Sequence, residues 1–253
     1  MNVEFWQWIL VIGSSLTLFF LSPLAKSASE FFKATSRKKA PSAFMLTGSL
    51  IISWIFAKSI TNAANLGLDY GLVGGVAYAG YYLSFAVAGI IIYELRTKGG
   101  FKSIHEFLTT KFGRGAVALF SLLICIRLFN EVWSNTMVIG TYFGDQGTTS
   151  YYWAIIVFTV LTLAYALKGG LSSSIFTDVI QMGLFAILLC VILGVIFSTK
   201  EMTIKDVALS GTWSFELGLN LFFAALIQSF SYPFHDPVMT DRGFLSSPKV
   251  TRK

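Results

Sequence analysis

Residues 169–198 read GGLSSSIFTDVIQMGLFAILLCVILGVIFS, and from Val179 to Ser198 the run holds no charged side chain. Crossing the hydrocarbon core of a bilayer takes roughly 20 residues of helix at about 1.5 Å rise each. The stretch 179–198 meets that length and reads as a membrane span. Working outward, 5–22, 43–67, 72–93, 115–143 and 151–167 precede it as further apolar stretches, and 217–234 follows it. The expectation is an all-α, polytopic membrane helix bundle of about seven transmembrane helices, a single transmembrane domain over 1–253.

Composition agrees. The chain of 253 residues is 55% apolar, 13% charged and 16% aromatic, against about 45–50% apolar and about 25% charged in soluble domains. Of 19 Lys and Arg, 15 fall in 26–41, 96–114, Lys168 and 242–253, which are every second gap between apolar stretches. The turn 68–71 and the loop 144–150 hold none, and 199–214 has as many acids as bases. By the positive-inside rule the basic gaps face the cytoplasm, so the N-terminus is expected outside and the end of 1–253 inside. A multi-pass location in a bacterial inner or plasma membrane follows, with the lipid bilayer as partner. The net charge of +6 is loop bias, so nucleic acid is excluded as a partner. The short loops leave no room for a soluble domain, and oligomeric state is not legible.

Cys125 and Cys190 both lie in spans and read as packing residues, while His105 and His235 lack metal-ligand spacing. No HExxH, Ser/His/Asp or paired-carboxylate cluster occurs, so neither an enzyme nor a cofactor is expected. Residues 5–22 lead into the small-residue run AKSAS, as a signal peptide would, but residues 1–25 contain no Lys or Arg. A retained N-terminal helix is the reading, with cleavage as the alternative. Residues 102–112, KSIHEFLTTKF, place Ile104, Phe107, Leu108 and Phe112 near one helix face, as in a short interfacial helix before the long span 115–143. Gly74, Gly75, Ala77, Gly80 and Ala88 serve close helix packing or a substrate path. Pro233 and Pro237 flank Phe-His-Asp, marking either a helix break that lines a cavity or the inner end of the last span.

Charges within the apolar stretches are the functional candidates. Arg127 and Glu131 are four apart, so they share a helix face and can neutralise each other. Lys58 lies near the middle of 43–67, too deep to snorkel. It either pairs structurally with an intramembrane carboxylate, Glu131 being the obvious one, or meets a substrate or ion. Asp178, beside Thr177, lies one to two turns into its span. It is either a first-turn Asp stabilised by the helix dipole or part of an ion path.

The run GGLSSSIFTDVIQ, residues 169–181, resembles the sodium:solute symporter family through its Gly-Gly-Leu opening, Thr-Asp pair and Gln three positions on. FFKATSRKKAPSAFMLTGSL, KSIHEFLTTKFG and SYPFHDPVMTDRGFLS fit the same family in order and spacing, from about residue 26 to the end. The resemblance implies the leucine-transporter-type inverted-repeat fold. In it 5–22 is an extra N-terminal helix, 43–198 the first five-helix repeat and 215–235 the first helix of the second. Family members continue with four or more helices, so the chain is expected to be an N-terminal fragment that does not transport alone.

The same resemblance implies a Na+ site using backbone carbonyls near Ile52 and Ile55, with Asp178 lining the inner sodium exit. It also implies a solute contact at Tyr232, an aromatic gate in sugar-carrying members, with Ser229 one turn earlier. Lys58 departs from the family, whose corresponding place is polar or acidic. A fixed cation there holds an anionic substrate group or stands in for a coupling ion. The activity implied is secondary active transport by alternating access, coupling inward movement of a small polar solute to a cation gradient, Na+ above all. The competing reading is a solute-sensing membrane module of the same fold that does not transport.

Overall fold

The computed structural model describes residues 3–34, 41–199 and 202–245. Arg37, Lys38, Lys39, Lys200 and the basic tail 246–253, all used in the charge pattern, lie outside the described residues. Every regular element described is helical: α1 (Val3–Leu21), α2 (Ala28–Lys33), α3 (Ala43–Ile52), α4 (Ala57–Tyr70), α5 (Leu72–Ala79), α6 (Leu83–Thr97), α7 (Ile104–Thr141), α8 (Thr149–Thr199), α9 (Ile204–Ala208), α10 (Asn220–Ser229), α11 (Tyr232–His235) and α12 (Pro237–Leu245). A 3-10 turn, Gly80–Tyr82, joins α5 to α6, and a π-turn, Phe215–Leu219, leads into α10.

Among the described residues, four helices are long and apolar enough to cross a membrane: Val3–Leu21, Leu72–Thr97, Ile104–Thr141 and Thr149–Ser198. The pair Ala43–Ile52 and Ala57–Tyr70 makes a fifth when taken as one broken span. Helices and expected spans do not correspond one to one. Residues 151–167 and 179–198 lie on opposite sides of Gly170, whose non-helical backbone kinks α8 into two helices with no loop between them. Phe215–Ser229, in place of 217–234, is shorter than the bilayer core requires. Large apolar side chains such as Leu119, Ile126, Phe129 and Trp133 on α7 and Leu184, Ile187 and Val191 on α8 are exposed. Such faces are stable against lipid tails and not against water. The chain is a polytopic helical membrane protein.

The chain forms two compact units, one from 1–58 and 122–181, the other from 59–121 and 182–253. In the first, α1 lies beside the start of α8. At one end Ser150 Oγ donates to Glu4 Oε1 at 3.2 Å, Gln7 Nε2 to the Tyr142 carbonyl at 3.3 Å, and the Trp8 and Phe143 rings meet at 4.7 Å. At the other, Lys168 Nζ donates to the Phe20 carbonyl at 3.3 Å, and the Ala25 amide to the Lys168 carbonyl at 3.1 Å. The charge pattern assigns the N-terminus and 144–150 to one side and the segment after 22 and Lys168 to the other, and these pairs meet.

The second unit repeats this. The Leu72 amide donates to the Ser210 carbonyl at 3.2 Å, joining two loops assigned outside. Arg96 Nη1 donates to the Gly243 carbonyl at 2.8 Å, joining two segments assigned inside. Nearby, burial pushes the Asp241 carboxyl above its usual range, with Arg242 and His105 opposing. Gly113, at φ 81°, separates 104–112 from the rest of α7, which divides the expected short helix from the expected span. Pro233 is the second residue of α11 and Pro237 the first of α12, first-turn positions where a missing amide costs little. Both lie beyond α10, which ends at Ser229.

Candidate functional site

Helix α3 starts on a Ser42 cap and stops at Ile52, and α4 resumes at Ala57. Between them the Trp54 amide donates to the Ile51 carbonyl at 3.1 Å and the Ile55 amide to the Ile52 carbonyl at 3.0 Å, three-residue turns in place of the α-helical ladder. Ile52 therefore borders, and Ile55 lies within, an unwound stretch, 53–56, in the middle of an apolar segment. The end of α3 is the negative pole of its dipole, which favours a cation.

Asp178 reaches this helix from α8. Ser49 Oγ donates to Asp178 Oδ2 at 2.5 Å, with Ser53 Oγ at 3.4 Å and Ser174 Oγ at 3.5 Å from the same oxygen. Ser49 is fully buried and Asp178 half-buried. Gly48 faces Val179 across the two helices, where an added Cβ would make ordinary contact at 3.7 Å. The product is a carboxylate with hydroxyl oxygens around it, next to a helix whose carbonyls have left the ladder. Hard oxygen donors of this kind suit an alkali cation.

Lys58 belongs to the same unit. Its amide donates to Asn135 Oδ1 at 3.2 Å and its Nζ to Ser134 Oγ at 3.1 Å. Glu131 enters through its backbone carbonyl, which accepts from Ser134 Oγ at 3.3 Å and Asn135 Nδ2 at 2.9 Å. Lys58 is thus tied to α7, by a hydroxyl. Arg127, one turn before Glu131, is half-buried.

Ser229 and Tyr232 lie in the other unit. Ser229 is 1% exposed, and its hydroxyl donates to the Ala225 carbonyl at 2.9 Å with the Gly80 carbonyl at 3.3 Å. Gly80 leaves room for this approach, since a Cβ would sit 3.0 Å from Phe222. Tyr232 meets Tyr81 edge-on at 6.4 Å and His235 at 5.0 Å, and its hydroxyl is 3.5 Å from Gln228 Nε2. The aromatic group Tyr78, Tyr81, Tyr232 and His235 surrounds the 3-10 turn between α5 and α6. Sequence reasoning missed Ser49, Ser53, Ser174, Ser134 and Asn135. Ser49 and Ser53 sit 129 and 125 residues from the Asp178 they bind, and no local pattern reveals such a contact, whereas Ser174 lies one helix turn before it.

Residues 39–209 match the sequence pattern of the sodium:solute symporter family. Over 200 residues the chain is 24% identical to sodium/glucose cotransporter 1 of Oryctolagus cuniculus, covering 73% of this chain and 29% of that protein. It is 26% identical over 196 residues to sodium/myo-inositol cotransporter 2 of Mus musculus, covering 72% and 29%. With solute carrier family 5 member 4A of Mus musculus it shares 28% over 154 residues, covering 54% and 23%. The chain spans 29% or less of the length of these relatives. No solved structure matches it.

Proposed function

The chain belongs to the sodium:solute symporter family, and from that premise we propose that the whole protein is a secondary active transporter. It couples inward movement of a small polar solute to the Na+ gradient by alternating access. Two of its relatives carry sodium with a sugar or an inositol in their names, which supports a polyhydroxylated or similarly sized polar solute. No covalent chemistry is involved: the work is a coupling free energy between a cation site and a solute site.

The observation that carries the reading is the convergence on Asp178 Oδ2 of the Ser49, Ser53 and Ser174 hydroxyls beside the unwound stretch 53–56. In this proposal the Ile52 and Ile55 carbonyls complete the oxygen set for Na+, and Asp178 draws the ion toward the cytoplasmic end without trapping it. Tyr232 supplies a ring face for the solute. Ser229, occupied with carbonyls and buried, supports that ring by holding α10 against Gly80. Arg127 and Glu131 stabilise α7 behind Lys58.

Asp178→Asn in the full-length protein tests this. Removing one charged hydrogen-bonding partner is worth about 1.5–3 kcal/mol, so the Na+ concentration for half-maximal uptake rises about tenfold or more at unchanged folded yield. Sodium dependence identical to wild type would sink the assignment.

A further inference from the structure

We propose that Lys58 is an anion site: the solute that this protein binds carries a carboxylate, received by the Lys58 ammonium. The solute's being transported rests on the reading above, whereas the anion site rests on the following geometry alone.

Lys58 is half-buried within an apolar segment, and its Nζ donates to one neutral group, Ser134 Oγ, at 3.1 Å. Among the described residues no Asp or Glu oxygen lies within salt-bridge distance of it. The polarity of the contact is fixed by what lies behind it. Ser134 uses its own proton on the Glu131 carbonyl at 3.3 Å, so it meets Lys58 with a lone pair. Asn135 is oriented likewise, its amide donating to the Glu131 carbonyl at 2.9 Å and its Oδ1 accepting from the Lys58 amide at 3.2 Å. These contacts hold the stem and backbone of Lys58 in place and, among the described residues, bring no carboxylate to its charge. An ammonium offers three N–H donors, and a single hydroxyl takes one.

A cation at membrane depth is retained where it meets a counter-charge, and among the described residues no carboxylate oxygen lies within salt-bridge distance of Lys58. Position adds to this. Lys58 is the second residue of α4, whose first turn is the positive end of a helix dipole. The two sides of the break at 53–56 therefore differ in sign. The α3 side, with Asp178 and its hydroxyls, favours a cation, and the α4 side, with Lys58, favours an anion. A solute carboxylate accepting two N–H bonds from Lys58 would neutralise the charge, and a neutral solute would leave it unpaired. Lys58 is in this account a specificity residue that separates acids from uncharged solutes of similar size.

The test uses the full-length protein with five probes: glucuronate, lactate and pantothenate as acids, glucose and myo-inositol as neutral solutes. Binding is read as thermal stabilisation of the purified protein at fixed Na+, and transport as uptake into proteoliposomes under a Na+ gradient. At least one acid is expected to bind about tenfold or more tightly than either neutral solute. Lys58→Met should remove that preference at normal yield, and Lys58→Arg should retain most of it. Binding by neutral solutes alone, or by none of the acids, overturns the proposal. So does Lys58→Met with unchanged acid affinity and altered Na+ dependence, which would make Lys58 a stand-in for a coupling cation. Acid binding without gradient-driven uptake keeps the anion site and removes the transport reading. Should Lys58→Met fail to fold, the wild-type comparison of acids with neutral solutes decides, together with Ser134→Ala, which is expected to keep the preference because the ammonium remains.

Discussion

Gly170 shows what the Gly-Gly pair of the family-like motif does physically. It sits at φ 53° and ψ −135°, a region that side-chain-bearing residues avoid. A Cβ there would lie 2.5 Å from the Phe31 carbonyl oxygen and 2.6 Å from Phe31 Cγ. Gly169 is closed off in the same way by the Pro23 carbonyl. The pair is therefore the point at which Pro23, after α1, and Phe31 of α2 pack on α8, where α8 kinks and continues toward Asp178. Gly170→Ala is expected to destabilise by about 1–3 kcal/mol from backbone strain alone, seen as a lower melting temperature and lower yield in detergent. Gly183→Ala, with nothing within 4 Å of an added Cβ, is the control expected to behave as wild type. Asp178 and Lys58 were legible as charges in apolar runs. Their partners were not, because Ser and Asn recur throughout membrane helices and carry no signal until the fold brings them together.

At the scale of elements, the informative features are two breaks. The one at 53–56 falls in Ser-Trp-Ile-Phe, without Gly or Pro. Nothing in local propensity marks it, and the stretch 43–67 reads as one continuous span. Only the family resemblance placed carbonyls there. The other, Gly80–Tyr82, is bridged by Ser84 Oγ donating to the Tyr81 carbonyl at 2.6 Å and by Ser229 Oγ from α10. Irregular backbone at membrane depth needs such internal partners, since lipid offers none. The prolines, which drew attention in the sequence, mark helix starts instead. Ser229→Ala is accordingly expected to cost about 1 kcal/mol of stability, lowering the melting temperature of the full-length protein while leaving solute selectivity unchanged. A changed solute preference with unaltered melting would instead make Ser229 a direct solute contact.

For the whole molecule, the distribution of Lys and Arg proved more informative than the apolar runs themselves. Counting runs gave about seven spans; two of them, 151–167 and 179–198, meet at the Gly170 kink without a loop, and the last is shorter than its apolar run, because hydropathy records composition and is blind to where a helix ends. The charge alternation paired the loops by side, and in each unit loops assigned to one side are in contact: Ser150 with Glu4, Lys168 with Phe20, Leu72 with Ser210, and Arg96 with Gly243. Contacts fix which loops share a side, and the positive-inside rule says which side is cytoplasmic. That second step has its own test. With Cys125 and Cys190, both exposed, replaced by Ser, a single Gln146→Cys in the exposed loop 144–150 should react with a membrane-impermeant maleimide on intact cells. Lys98→Cys, at a side chain 79% exposed in the basic segment, should react only after the membrane is permeabilised. Losing the exposed Lys98–Glu94 pair should leave folding intact, because such surface pairs contribute about 0–1 kcal/mol. Labelling of Lys98→Cys on intact cells, with Gln146→Cys protected, would invert the topology and move Asp178 to the outer end, where an inward ion-release role has no physical basis.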